Sequence, residues 1–280
     1  MRELLRRPSA VVGIAIIALV LFLAIFGSLV APFDPAAQDT AGRLKGPSGS
    51  HLLGTDYLGR DLLSRIIAGT RIAFEIALPT VTVALVVGLA LGIAGGYLGG
   101  KTDAVVLFVA DFLAAFPGLV LALAVIALLG PSVPNLIGVL AIAFIPGYTR
   151  VSRASVLAVK ENQFVLVERA LGASSLRIAA RHILPNIGAP LLILVAMDIP
   201  LVMVAEAGLS FLGLGVPPPE PSWGSILSAG FAQVRESTWS VLWPALALGV
   251  TMVAFTLVAE ALRDVTDPKA SGMRRLRRVT

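Results

Sequence analysis

The sequence contains no cysteine, and only 14% of its 280 residues are charged. The lack of cysteine excludes disulfide bonds, cysteine-ligated metal sites and thiol catalysis. A soluble domain usually carries about 25% charged residues, so this chain is too apolar for that class. Aromatic residues make up only 6%, and the 57% of hydrophobic residues is therefore mainly aliphatic. A disordered chain is excluded by the same numbers, and a polytopic helical membrane protein is indicated.

Sequence motifs of catalysis are absent as well. The chain has no HExxH, no GxSxG and no phosphate-binding GxxxxGK[ST]. The two histidines, His51 and His182, fall on opposite sides of the membrane in the topology predicted below, so they cannot share one metal site. We expect His51 to form hydrogen bonds within a loop, with a role in nickel handling as the alternative, and His182 to lie on a helix surface. The chain is therefore predicted not to be an enzyme by itself, with no catalytic, cofactor-binding or metal-binding residues.

Long runs with at most one charged residue predict six transmembrane helices. These runs are residues 11–31, 76–98, 112–149, 186–205 and 237–259. The third run is too long for one crossing of a core about 30 Å thick, and the glycine and proline residues at 130–134 divide it into two helices. The fourth contains Asp198 as its one charge. Because backbone groups in lipid must be hydrogen-bonded within their own segment, spans of this length are helices. The first run is too long for a signal peptide and is predicted to be a retained helix.

The distribution of lysine and arginine orients the chain. With the N-terminus inside, 16 of the 22 basic residues fall on the cytoplasmic side. The excess of positive charge inside predicts that both termini are cytoplasmic. The basic tail suits a segment at the anionic inner leaflet, so membrane lipid is expected as its contact and nucleic acid is not.

The spans and their connections divide the chain into four regions. These are the N-terminal tail with the first helix, an extracytoplasmic loop, a five-helix core and the basic tail, at residues 1–31, 32–75, 76–268 and 269–280. Apolar and charged positions at helical spacing in residues 57–74 predict an amphipathic helix at the outer interface. Within the core, the outer loop 208–236 is rich in glycine and proline, which do not continue a helix.

The second long connection, residues 150–185, is predicted to be cytoplasmic and helical. Residues 164–171 favour a helix, and Gly172 is suited to end it. Ser174 can cap a second helix at 175–184, which Pro185 ends. Two interpretations remain open for this hairpin: it lies on the membrane surface, anchored by its arginines, or it docks a soluble partner.

Four glycines of the second span recur every fourth residue. Gly88, Gly92, Gly96 and Gly100 share one helix face, which allows another helix to approach closely. A nucleotide-binding loop is not indicated, because the stretch lies in an apolar span without the required spacing.

Acidic residues within spans are costly and invite an explanation. Asp198 and Glu206 are candidates for the lining or the gate of a transport pathway, with structural roles as the alternative. Asp111 and Glu260, near helix ends, are expected to be paired or solvated.

Three stretches of the chain resemble one known family. Residues 51–74, 169–186 and 205–224, with a weaker match at 261–268, resemble the permease subunits of ATP-binding-cassette (ABC) importers for peptides and nickel, and among these the C-type partner of the permease pair. Together with the spacing of the spans, the resemblance covers nearly the whole chain.

This resemblance implies a type I ABC importer permease in the cytoplasmic membrane of a prokaryote. The chain would form half of a pathway for short peptides, with nickel or another small solute as the alternative cargo. The implied partners are a homologous second permease, two ATPase subunits that bind ATP and Mg, and an extracytoplasmic solute-binding protein. The chain itself would hold no cofactor.

The resemblance also implies that residues 155–185 form coupling helices that sit in grooves on the ATPases. The residues that carry this role are Glu168, Arg169, Ala170, Leu171, Gly172, Ala173, Ser174, Arg177 and Pro185. Gly172, Leu184 and Pro185 match the spacing of the family's cytoplasmic motif, but the motif's first acidic position holds Leu166. Glu168, two positions later, is expected to supply a shifted salt bridge or to pair with Arg169 or another base.

An ion-coupled secondary transporter is the alternative of a different class. Such carriers usually show internal repeats or two broken helices in matching positions. No such repeat is evident, and the long cytoplasmic connection would have no purpose in a carrier of this kind.

Overall fold

The computed structural model describes residues 7–266, and within this range the chain is helical without β-strands. The predicted tail at 269–280 lies outside the described residues. The helices are α1 (Pro8–Val30), α2 (Leu62–Ile93), α3 (Gly100–Ala114), α4 (Gly118–Leu129), α5 (Val133–Lys160), α6 (Gln163–Ala170), α7 (Ser175–Ile178), α8 (Leu184–Phe211), α9 (Trp223–Ala232) and α10 (Trp239–Thr266). Two π-helical turns, Ala94–Leu98 and Ala179–Ile183, follow α2 and α7 without a break, and a 3₁₀ turn covers Thr40–Gly42.

The all-α, polytopic architecture is confirmed. Five helical segments of the described chain are long and apolar enough to cross a membrane: Pro8–Val30, Leu62–Leu98, Val133–Lys160, Ser175–Phe211 and Trp239–Thr266. The pair α3 and α4, bent by 79°, makes a sixth crossing if it counts as one span. The predicted division of residues 112–149 is also confirmed, because α4 ends at Leu129 and Ser132 caps α5.

The third crossing differs from its predicted start at residue 112. Helix α3 begins at Gly100, and the chain then bends at residues 115–117 before α4. Pro117 has no N–H to donate and disfavours helical geometry at Phe116, so the helix breaks here.

The prediction of a separate amphipathic helix at 57–74 is wrong. Asp61 caps a helix that begins at Leu62 and continues without interruption into the second span. The charges at the start of this helix did not limit it, because tertiary contacts bury Arg65, and Arg71 and Glu75 are exposed. Arg65 is only 5% exposed, and its Nε lies 3.5 Å from Asp56 Oδ2.

The prediction that a helix ends at Pro185 is wrong as well. A helical segment runs from Ser175 to Phe211, first through a π turn and then into α8. Pro185 occupies the first or second position of α8, directly after the π turn, where a proline is tolerated. The loop expected from residue 208 therefore begins after Phe211, and it contains the short helix α9.

The helix ends define two opposite faces of the molecule. The terminal face contains residues 7, 94–103, 150–183 and 264, and an ion pair between Arg7 and Asp264 joins the first and last helices there. The loop face contains residues 32–61 and 212–238. Helix α2 connects the two faces, and it packs against α1, α5 and α8.

Candidate functional site

The hairpin on the terminal face, residues 163–183, is called the docking segment below. Helix α6 ends as predicted, because Gly172 adopts φ +82° and its N–H donates to the Arg169 carbonyl at 3.1 Å. The Ala173 N–H donates to the Glu168 carbonyl at 3.0 Å. The Ser174 hydroxyl accepts from the Arg177 N–H at 3.4 Å and caps the next helix, also as predicted. The turn between the two arms is therefore fixed by backbone geometry.

Apolar side chains stand exposed at the tip of the docking segment. Leu171 is 77% exposed and Leu176 is 80% exposed, on either side of the Gly172 turn. Val165 and Ile178 are buried and anchor the two arms to the body of the protein. Arg177 lies on the exposed side with the leucines. An apolar patch beside a cation, facing away from the core, is typical of a surface that another molecule covers.

Glu168 pairs across the turn. Its Oε1 lies 3.4 Å from His182 Nε2, and the His182 ring packs against Phe164. Within the described chain, Glu168 thus contacts a base in the other arm, and the expected shifted salt bridge with an ATPase stays a prediction. Arg169 instead places its guanidinium carbon 5.5 Å from the centroid of the Tyr97 ring.

The remaining residues of the predicted coupling set lie around the same hairpin. Ala170 is exposed at the end of α6, and Ala173 packs against the core from within the turn. Pro185 is exposed at the start of α8. The predicted set therefore lies in and next to the hairpin, and most of its members are exposed.

Three of the four predicted packing glycines face one helix. Cβ atoms at Gly88, Gly92 and Gly96 would collide with, or press on, Tyr148, Ser152 and Val156 of α5. Small residues thus allow α2 and α5 to approach closely. Gly100 does not belong to this face. It begins α3 with φ +55°, and a Cβ there would meet no atom within 4 Å.

The two candidate pathway acids are both buried in α8. Asp198 faces the Tyr148 hydroxyl, which is itself buried. Glu206 is only 1% exposed and accepts a hydrogen bond from the Ser210 hydroxyl at 2.5 Å, and Ser222 contacts it as well. Both carboxyl groups are thus enclosed by side chains of this chain and do not line an open surface.

The sequence did not reveal how α5 holds the start of α3 and the π turn before it. Arg153 of α5 binds both carboxylate oxygens of Asp103, and the Lys160 ammonium donates to the Gly96 carbonyl at 3.0 Å. The one feature of the sequence that could have indicated these contacts is the presence of isolated charges of opposite sign close to the terminal face. The sequence does not say which of these charges meet.

His51, on the loop face, forms the loop contact that was expected. Its Nδ1 lies 2.9 Å from Asp61 Oδ1, and its ring packs 4.8 Å from the Phe33 ring. No group of three or more histidine or acidic residues that could hold a metal occurs within residues 7–266.

Comparison with known proteins shows which family the chain belongs to. Residues 84–272 match the model of the binding-protein-dependent transport system inner membrane component family. The chain belongs to this family. Residues 1–47 of the permease also match the N-terminal transmembrane domain of oligopeptide transport permease C. The match to the first family includes the docking segment and the spans on both sides of it.

Curated relatives match the permease over almost its whole length. It is 40% identical over 270 residues to the dipeptide transport system permease protein DppC of Escherichia coli K12, with 94% of this chain and 90% of the relative covered. It is 36% identical to the di/tripeptide transport system permease protein DppC of Pseudomonas aeruginosa, with 93% and 88% covered. The dipeptide transport system permease protein DppC of Alkalihalophilus pseudofirmus is 35% identical, with 96% and 88% covered. The predicted resemblance to C-type peptide permeases is confirmed.

Proposed function

We propose that the permease is one of two membrane subunits of an ATP-driven importer for short peptides. It forms half of the pathway, and a homologous second permease forms the other half. Peptide cargo is supported by three relatives whose names specify dipeptides or di- and tripeptides, each at 35–40% identity over most of both chains. An extracytoplasmic binding protein delivers the peptide, in accord with the description of the family.

In this proposal the terminal face is cytoplasmic, in the cytoplasmic membrane of a prokaryote. In the sequence, 16 of the 22 basic residues fall in 2–7, 101, 150–181 and 263–278, which form this face or adjoin it along the chain. The positive-inside rule favours that orientation. The loop face then meets the binding protein outside the cell.

The docking segment carries the proposal that separate ATPase subunits drive transport. Its two arms are anchored by buried Val165 and Ile178, while Leu171 and Leu176 project from the turn with little cover. A partner groove lined by apolar groups, with an acid near Arg177, would cover this tip. ATP and Mg bind to the two partner ATPases in this proposal, and the permease supplies the surface that responds to their closure.

The burial of Asp198 and Glu206 favours a gate over a pathway lining. A carboxylate that is enclosed by its own chain can contact cargo only after the surrounding helices move. Pro190 and Pro200 interrupt the hydrogen bonding of α8 on either side of Asp198, and such interruptions are where helices bend. We propose that movement at this part of α8 opens the pathway.

The test is a charge reversal at the tip of the docking segment. Arg177→Glu should lower ATP-driven dipeptide uptake about tenfold, equivalent to about 1.4 kcal/mol of docking free energy, while membrane insertion stays normal. The ATPases should also be lost when the tagged permease is purified in mild detergent. Gly172→Asp should act in the same direction, because φ +82° costs a residue with a side chain about 1–2 kcal/mol.

Arg235→Glu is the matched control. Arg235 is exposed on the loop face, so the same change of charge should leave the ATPases attached. Retention of the ATPases by Arg177→Glu would contradict the docking role. Uptake by the permease alone in liposomes, driven by an ion gradient, would contradict the importer proposal as a whole.

A further inference from the structure

Three cationic side chains hold the segment that links α2 to α3. This segment, residues 94–103, is called the α2–α3 junction. Lys160, at the end of α5, donates from its ammonium to the Gly96 carbonyl at 3.0 Å. Arg169, in the docking segment, lies over the ring of Tyr97. Arg153, farther along α5, binds the carboxylate of Asp103. The end of α5 and the first arm of the docking segment therefore contact the junction at three successive points.

The junction itself is unusual in its backbone. It begins with the π turn Ala94–Leu98, and Gly99 and Gly100 then adopt φ +69° and +55° to reverse the chain. A Cβ at Gly96 would lie 3.0 Å from the Val156 side chain, so the backbone of this turn is seated directly on α5. A π turn is often found at functional sites, since it shifts the register of the helix that carries it. Displacement of α5 would therefore move the junction with it.

The Arg153–Asp103 pair is the rigid part of this contact. The guanidinium group binds both carboxylate oxygens, and the two side chains are about four-fifths covered. Paired, charge-assisted hydrogen bonds of this kind fix geometry as well as distance. A second pair between the same two helices, Arg150 and Asp111 at 2.8 Å, is at least half exposed and is expected to contribute little.

Helix α3 leads from the junction to the bend at 115–117 and then to α4. Much of α3 away from α5 carries exposed apolar side chains, such as Phe108 and Phe112. The helix is therefore tied to the rest of the permease chiefly through its first turns and α5. A displacement of its start would therefore move α3 along α5 and shift the bend through which α3 continues into α4.

We infer that the α2–α3 junction receives the motion of the docking segment and passes it to the bent pair α3–α4, with Asp103 and Arg153 as the positioning residues. The inference rests on the proposed function, since it needs ATPases that move the docking segment. In this inference the motion of the docking segment is transmitted in two ways: directly into α8, and through α5 to α3. Neither positioning residue contacts the ATPase or the peptide in this scheme.

The experiment measures uptake and ATP hydrolysis in the same proteoliposomes, with the complete complex of both permeases, the ATPases and the binding protein. Asp103→Asn keeps the size of the side chain and removes its charge. It should lower peptide uptake about tenfold, within the range usual for coupling between sites, while ATP hydrolysis stimulated by the binding protein stays within about twofold of the wild-type rate. The number of peptides imported per ATP therefore falls. Asp111→Asn is the matched control and should change neither rate.

A reciprocal exchange, Asp103→Arg with Arg153→Asp, separates positioning from simple burial. The exchange restores a pair of opposite charges between the same two helices. The number of peptides imported per ATP should therefore be at least about threefold higher in the double variant than in Asp103→Arg alone. Arg153→Lys carries the same test if Asp103→Asn lowers the yield of the complex, because it keeps the charge and loses the bidentate geometry. It should give an intermediate import per ATP.

Two results would overturn the inference. One is normal uptake by Asp103→Asn. The other is a parallel loss of uptake and ATP hydrolysis in a complex that has kept its ATPases, with no recovery in the exchanged pair. A wild-type complex that assembles but does not use ATP for uptake would instead overturn the proposed function.

Discussion

The close approach of α2 and α5 can be tested by adding a single methyl group. Gly92 faces α5, and a Cβ at this position would lie 2.8 Å from the Thr149 carbonyl oxygen and 2.8 Å from the Arg153 backbone nitrogen. Ordinary contacts of a Cβ atom begin near 3.4 Å. The nearest atom is Ser152 Cβ, at 2.4 Å. None of these three atoms can rotate away, so Gly92→Ala must push the two helices apart by roughly 1 Å, which weakens the packing along their shared length.

The expected cost follows from two opposing terms. Overpacking of a close interface costs about 1–3 kcal/mol, and the upper part of that range applies where backbone atoms are struck. Replacement of glycine by alanine within a helix returns about 1 kcal/mol. The net loss is about 2 kcal/mol, which lowers Tm by about 4–8 °C for a chain of this size. Thermal unfolding of the purified permease in detergent, followed by tryptophan fluorescence, measures this shift.

Gly138→Ala is the control. Gly138 is exposed on α5, and a Cβ there would meet nothing within 4 Å. Only the gain in helix propensity applies, so Tm should stay the same or rise. Equal Tm values for the two variants would refute the steric argument for the glycine face.

Two further predictions concern the loop face. Asp61→Ala removes the acceptor for the Ser64 N–H (2.8 Å) and the partner of His51. It should destabilise the start of α2 by about 1–2 kcal/mol and speed proteolysis of the 32–61 segment. An unchanged rate of cleavage would contradict the capping role. Trp223→Phe removes the indole N–H that donates to the Ile66 carbonyl at 3.0 Å, and it should cost about 1 kcal/mol in thermal unfolding. Equal stability of this variant would show that the bond contributes nothing.

The sequence predicted the helical class and six crossings, which the structure has if the bent pair α3–α4 counts as one span, because hydropathy and span length act locally. The turn between the two arms of the docking segment was also predictable. Gly172 and Ser174 act on their own backbone neighbours, and no distant contact was needed to place the end of α6 or the cap at Ser174.

Errors arose where a distant contact changed the local rule. Charges were taken to limit the second span, but Arg65 is held by Asp56 and by the Pro35 carbonyl, so the helix continues through it. Pro185 was taken to end a helix, but the preceding π turn lets the helical path continue. The pairing of Asp103 with Arg153, 50 residues away, depends on the packing of α3 against α5. The approach of these helices cannot be read from either segment alone.

Helix α2 with its π turn extends over 37 residues, from Leu62 to Leu98. At 1.5 Å per residue this is about 55 Å, whereas the hydrocarbon core of a bilayer is about 30 Å thick. The helix therefore protrudes well beyond the membrane interior, and its two ends lie in different aqueous compartments. Asp61 fastens one end to the loop face, and Lys160 and Arg169 fasten the other. In the proposed importer, binding of a partner on either side of the membrane would therefore act on the same continuous helix, and a force applied to one end would change the strain at the other.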